Sequence, residues 1–184
     1  MKCLSFNCRG LASTSKKLAL RRLIDNEPID IIMLQETLGN VVSIEHTLAT
    51  LRLGWHYHVL DAIGRVGGLA IGYNPQTINA SATWGGVGFL GMDFFSVELG
   101  QTLRIINVYG PYQRREEFWQ KLLRLSMTSI DQIIIGGDLN FSRDLGNPGV
   151  HMHRLTLLHK NIITLIICSR CRPIITYTSF LSKS

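Results

Sequence analysis

A chain of 184 residues with 46% hydrophobic and 17% charged residues is long enough for one domain with a core, and too apolar to be disordered. The formal net charge of +6 favours an anionic partner such as nucleic acid, although residues 141–184 hold six Lys and Arg against one acid, so most of the excess lies in the tail. Four cysteines set no disulfide framework in a chain of this size, no apolar run approaches the ~20 residues of a membrane span, and the first strand carries Asn7 and Arg9 with no signal-peptide cleavage pattern. A nuclear or cytoplasmic protein that is not bound to a membrane is therefore expected.

In chain order, residues 2–7 read as a strand ending at Asn7. Ser13-Thr14-Ser15 offers an N-cap to a helix over 16–25, with Leu18, Leu20, Leu23 and Ile24 as its apolar face, and Pro28 blocks its continuation. Residues 30–36 read as a buried strand that ends in Gln35-Glu36. Ser43 can cap a helix through Leu53, with Ile44, Leu48 and Leu51 as its stripe. Strands over 55–60, 68–74, 77–84, 93–99 and 103–109 follow, separated by glycine, asparagine and proline turns. A helix from Arg114 to Leu125 buries Phe118, Leu122, Leu123 and Leu125, and residues 132–137 form the next strand. There is no repeat, linker or low-complexity segment. Strands with helices between some of them suit a two-layer sheet sandwich with outer helices.

The chemistry gathers at strand ends. The apolar run Ile133-Ile134-Ile135 leads through Gly136-Gly137 to Asp138-Leu139-Asn140. Residues i and i+2 of an extended chain point the same way, so a carboxylate and an amide would face one point beyond that strand. Two glycines let backbone come close to a bound group. A proton acceptor beside an amide that can orient water suits hydrolysis of a phosphate ester. Asn7, Glu36 and Tyr109 each close another strand, the last just before Gly110-Pro111. Hard cations prefer oxygen ligands such as Glu36 and the Asn7 amide oxygen. Read singly, each has a plainer account: Asp138 and Asn140 as turn residues, Glu36 as a solvated cap, Asn7 as a turn residue before Gly10 and Tyr109 as core; Asn107, two residues earlier on the face of Tyr109, is a weaker candidate for the same role.

As a set, in this order, these segments resemble the endonuclease/exonuclease/phosphatase superfamily. More narrowly, they are similar to the N-terminal endonuclease domain of a plant-like non-LTR (LINE-type) retrotransposon polyprotein. The resemblance rests on Ser5-Phe6-Asn7-Cys8-Arg9-Gly10-Leu11, Leu34-Gln35-Glu36-Thr37, Tyr109-Gly110-Pro111 with the later Phe118-Trp119, and Gly136-Gly137-Asp138-Leu139-Asn140. It covers residues 1–145, and 146–184 read as a divergent basic tail. It implies a four-layered α/β sandwich, two packed β-sheets flanked by helices, with the site at one rim of the paired sheets. It also implies Mg2+-dependent phosphodiester hydrolysis, with Mn2+ as a substitute ion, that nicks DNA. In that scheme Glu36 and Asn7 hold the metal, Asp138 activates water, Asn140 orients it, and Tyr109 stabilises charge on the phosphate. Asn7, Asn140 and Arg114 contact phosphate or DNA. A monomer is expected.

The chain departs from the family pattern after residue 145. The family closes its site with a further Asp or Asn and a Ser-Asp-His-type motif; here no aspartate follows Asp144, and His159 is not preceded by one. The sandwich is therefore expected to be incomplete at the C-terminus, with the apolar run Ile162 to Cys168 an aggregation hazard if unpaired. Two alternatives stay open: a catalytically dead nucleic-acid-binding fragment, and a phosphatase of the same fold. His56/His58 and His151/His153 have metal-like spacing but read as surface histidines. Cys168-Ser169-Arg170-Cys171 lacks the second pair a zinc site needs. Gly67-Gly68-Leu69 reads as a hairpin turn, and Glu116-Glu117 after Arg114-Arg115 reads as a solvated helix start.

Overall fold

Among the residues that the computed structural model describes (1–62, 67–126, 132–140, 162–167 and 174–177), strands and helices follow in the order β1 (Lys2–Asn7), α1 (Thr14–Asn26), β2 (Ile31–Gln35), α2 (Val41–Leu51), β3 (His56–Leu60), β4 (Leu69–Tyr73), β5 (Ile78–Gly86), β6 (Phe89–Ser96), β7 (Gln101–Tyr109), α3 (Arg115–Ser126), β8 (Ile133–Asp138), β9 (Ile162–Ile167) and β10 (Ile174–Tyr177). They build two five-stranded mixed sheets. Sheet one has the order β10-β1-β2-β4-β3 and sheet two the order β5-β6-β7-β8-β9. Sheet one holds one parallel pair, β1 with β2, and sheet two holds two, β7 with β8 and β8 with β9.

The central strands β2, β4 and β8 are buried almost without a break, because each sheet buries both faces. Met33, Ile71, Met92, Phe94, Ile105 and Ile134 meet between the sheets. Leu4, Ile32 and Leu34 on the outer face of sheet one take Leu20 and Ile24 of α1 and Ile44, Leu48 and Leu51 of α2. Ile106, Val108, Ile133 and Ile135 on the outer face of sheet two take Trp119, Leu122 and Leu123 of α3. The result is the expected four-layered α/β sandwich. No helix among the described residues is long and apolar enough to cross a membrane.

Several details differ from the sequence expectation. The strand expected over 93–99 runs instead over Phe89–Ser96, because the glycines near its start stay extended. Gly91 faces Trp84 and Gly86 faces Phe89 across the β5–β6 ladder. A Cβ on Gly91 would sit 2.5 Å from the Trp84 ring, and one on Gly86 would sit 2.7 Å from the Phe89 ring. Each missing side chain makes room for an aromatic ring, so a run that looks like a turn stays extended. Asn40, and not Ser43, caps α2, its side chain accepting from the Ser43 amide at 2.9 Å. Ser13 stands at the N-cap of α1, but its hydroxyl pairs with that of Ser15 at 2.7 Å. Leu18 and Leu125 are half exposed, and Trp119 takes the buried position on α3. Residues 162–167 are paired: β9 lies parallel to β8, and β10 lies antiparallel to β1. The 168–171 and 151–153 motifs lie outside the described residues.

Candidate active site

The β1–β2 and β7–β8 pairs bring four strand ends to one rim. Asn7 stands opposite Gln35 in the β1–β2 register, and Tyr109 stands opposite Asp138 in the β7–β8 register. The carboxyl ends of adjacent parallel strands are where α/β sheets hold ligands. Glycine makes the approach feasible. Gly137 has φ +130°, and a Cβ there would run into the Val108 carbonyl. A Cβ on Gly110 would run into Leu139 backbone.

The chain leaving these strands is strained. Among the described residues, the non-glycine positions with positive φ are Arg9, Glu36, Leu38, Arg114 and Asn140. They lie on the segments that leave β1, β2, β7 and β8. Each such conformation costs on the order of 1–3 kcal/mol, and such strain clusters at functional sites. At Glu36 the consequence is direct. Gln35 points between the sheets, so an extended Glu36 would point away. With φ +52°, Glu36 turns back to the Tyr109 hydroxyl.

Asn7 joins the two sheets. Its Nδ2 donates to Glu36 Oε1 at 2.8 Å and to Asp138 Oδ2 at 2.8 Å. Its Oδ1, the atom expected to face a metal, accepts from the Arg9 amide at 3.1 Å. Two carboxylates share one amide nitrogen as their donor, so the amide group turns its nitrogen toward them. Asn140 orients Asp138 through its backbone: its N–H donates to Asp138 Oδ1 at 3.1 Å, while its side chain donates to the Gly110 carbonyl at 2.6 Å. Burial pushes the Tyr109 phenol well above its ordinary range, with the Glu36 hydrogen bond and charge and then Tyr112 adding to the rise. A phenol is already a protonated donor at neutral pH, and the rise widens the pH range over which Tyr109 stays one.

Tyr112 is an addition from the structure. It is exposed, yet it interacts with the Tyr109 phenol. Its place after a Gly-Pro turn was the only signal in the sequence. Gly67 and Gly68 do more than turn: a Cβ on Gly67 would lie 3.3 Å from Glu36 Cα, and one on Gly68 would run into Thr37 Oγ1. Arg114 is exposed just before α3, and no hydrogen bond among the described residues joins it to the Asn7 group. His56 and His58 lie on edge strand β3 against the Tyr73 ring. Burial, and then His56, lowers the His58 pKa. A groove of about 290 Å³ between edge strands β3 and β5, lined by Glu45, His58, Leu60 and Trp84, holds none of the rim residues.

The donor set fits a hard dication. Two carboxylates converge on the Asn7 amide nitrogen while the amide oxygen is turned to the Arg9 N–H, so the oxygens on offer are those of Glu36 and Asp138, with no thiol or imidazole among them. No group of three or more His, Cys, Asp and Glu gathers among the described residues. One or two carboxylates are what a magnesium site uses when substrate phosphate and water complete the shell.

Comparison with known proteins fits this geometry. The Endonuclease/Exonuclease/phosphatase family profile matches residues 4–165. No curated protein matches the sequence. Solved structures with the same fold include the Xenopus laevis APE2 catalytic domain (20% identity, TM-score 0.60, covering 85% of this chain and 67% of that one). Another is D. rerio TDP2 complexed with single strand DNA product (13% identity, TM-score 0.62, covering 83% and 64%). A third is the Bacteroides thetaiotaomicron mannosyl-6-phosphatase Bt3783 (13% identity, TM-score 0.60, covering 83% and 70%). The chain thus spans less than two thirds of the TDP2 chain. At these identities the likeness is one of fold.

Proposed function

We propose that this chain, which belongs to the Endonuclease/Exonuclease/phosphatase family, hydrolyses phosphodiester bonds in DNA with the aid of a divalent metal ion, as a nicking endonuclease of the non-LTR retrotransposon type. The observation that carries the reading is the Asn7 amide held at 2.8 Å from both Glu36 and Asp138, one from each sheet. Glu36, with Asn7 beside it, would hold Mg2+ or Mn2+. Such an ion supplies charge to polarise the phosphate and steady the leaving oxygen.

The protein's own groups do the rest. Asp138, fixed by the Asn140 N–H, accepts the proton of the attacking water. Tyr109, protonated at neutral pH, donates to a phosphate oxygen as charge builds there. Asn140 and Arg114 lie on the segments leaving β8 and β7, where a nucleic-acid backbone can be met. The wording of the four strand ends supports the retrotransposon assignment.

The phosphatase reading is kept because a mannosyl-6-phosphatase shares the fold. Supercoiled plasmid and a sugar phosphate, each offered with Mg2+ and with EDTA, separate the two. The proposal expects Mg2+-dependent relaxation of plasmid and no phosphate release. Release from the sugar phosphate without relaxation would replace it with the phosphatase reading.

A further inference from the structure

Asn107 lies two residues before Tyr109 on β7 and is wholly buried. Its Nδ2 donates to the carbonyls of Leu34 and Ala70, each at 2.9 Å. Those two residues face each other in the β2–β4 ladder, so one side chain of sheet two fastens two strands of sheet one. Its Oδ1 accepts from Gln35 Nε2 at 2.6 Å. Gln35, also buried, donates further to Met33 O at 3.1 Å and Ser5 Oγ at 3.3 Å. Around this knot the sheets meet through apolar side chains such as Met33, Ile71, Ile105 and Ile134. Apolar contact is non-directional and tolerates a slide of one sheet over the other. Hydrogen bonds to fixed carbonyls do not. The rim group needs that register, because Asn7 and Glu36 come from sheet one and Tyr109 and Asp138 from sheet two. Gln35 adjoins Glu36 in sequence, and Asn107 shares a strand face with Tyr109.

The geometry points to Asn107, acting through Gln35, as a positioning residue. It sets the gap between the sheets at the rim, and so holds Glu36 against Tyr109 and the Asn7 amide across to Asp138. This role rests on the proposed hydrolytic site but can be judged without activity. The probe is hydrogen-exchange protection of the Asn7 side-chain amide, followed by NMR on the full metal-free chain. The variants are Asn107→Leu, Gln35→Met and the two combined. In the double variant neither amide is left facing the gap of the other, so its thermal transition falls by less than the sum of the two single variants, although the Leu34 and Ala70 carbonyls lose their Asn107 donor.

The expected result is a fall in Asn7 protection of at least about tenfold in all three, the size of one lost hydrogen bond. In parallel, plasmid nicking falls ~10²-fold, as for a ~1 Å misplacement of a reacting group. A folded double variant that keeps both Asn7 protection and nicking would overturn the inference and leave Asn107 a packing residue. If wild type protects Asn7 but cuts no DNA, the endonuclease reading fails and protection alone still decides the role of Asn107. If Asn107→Leu does not fold, Gln35→Met, which leaves both carbonyl bonds of Asn107 in place, decides between the two roles by the same readout.

Discussion

Asn7 shows how much one side chain can hold. Its amide nitrogen is the donor shared by two carboxylates that would otherwise repel across the sheets. Asn7→Ala is expected to slow DNA nicking by ~10²-fold, as for misplacement of the two carboxylates that it holds. A steady-state assay with far-UV circular dichroism as the folding control checks this. Cys3 makes a separate prediction. Burial, and then the Asp30 charge, pushes its thiol from 9.0 up to about 12. The folded state thus favours the neutral thiol. The stability this confers is fully present below pH 9.0 and is lost as pH rises toward about 12. The urea midpoint should fall between about pH 8 and about pH 11, and the Cys3→Ala variant should show a shallower fall. Equal slopes in the two proteins would contradict it.

At the scale of elements, the path of the chain depends on what glycine permits. Gly137 combines φ +130° with backbone contact to Val108. Gly137→Ala should destabilise by roughly 2–4 kcal/mol from strain and overpacking together, read as a lower denaturant midpoint at unchanged slope. Much at this scale was legible beforehand. Asn7, Glu36, Tyr109 and Asp138 announced themselves because each ends an apolar run, and parallel pairing brings such ends together. What was hidden depends on tertiary contact. Gly86 and Gly91 look like turn residues until Phe89 and Trp84 are seen lying over them. The cap at Asn40 depends on the local backbone path, and Leu18 looks like core until α1 is rotated onto its sheet. Asn107 could be placed on the face of Tyr109, but its bonds to Leu34 and Ala70 depend on how two distant sheets register.

At the scale of the molecule, three apolar layers of contact bind four layers of structure, and the rim chemistry is shared between the two halves. The four-layered form was expected from the family resemblance; periodicity alone would have allowed several sandwiches. The part least legible was the segment after residue 160, where pairing with β8 and β1 depends on partners far away in sequence. Those pairings lead to a prediction. A chain cut after residue 160 leaves the Ile133-Ile134-Ile135 edge of β8 and one edge of β1 without partners. It should aggregate at concentrations where the whole chain does not. Light scattering on the two forms checks this, and equal scattering would contradict the pairing.

The central claim is that Glu36 and Asp138 form one metal-dependent hydrolytic centre. The most direct test is the rate of supercoiled plasmid nicking in Mg2+ by wild type, Glu36→Gln and Asp138→Asn, near-isosteric changes that keep the shape of the rim. The account predicts nicking by wild type that EDTA abolishes, and a loss of at least ~10²-fold in each variant with folding intact. Nicking that survives either substitution, or a folded wild type that leaves the plasmid supercoiled, would contradict it.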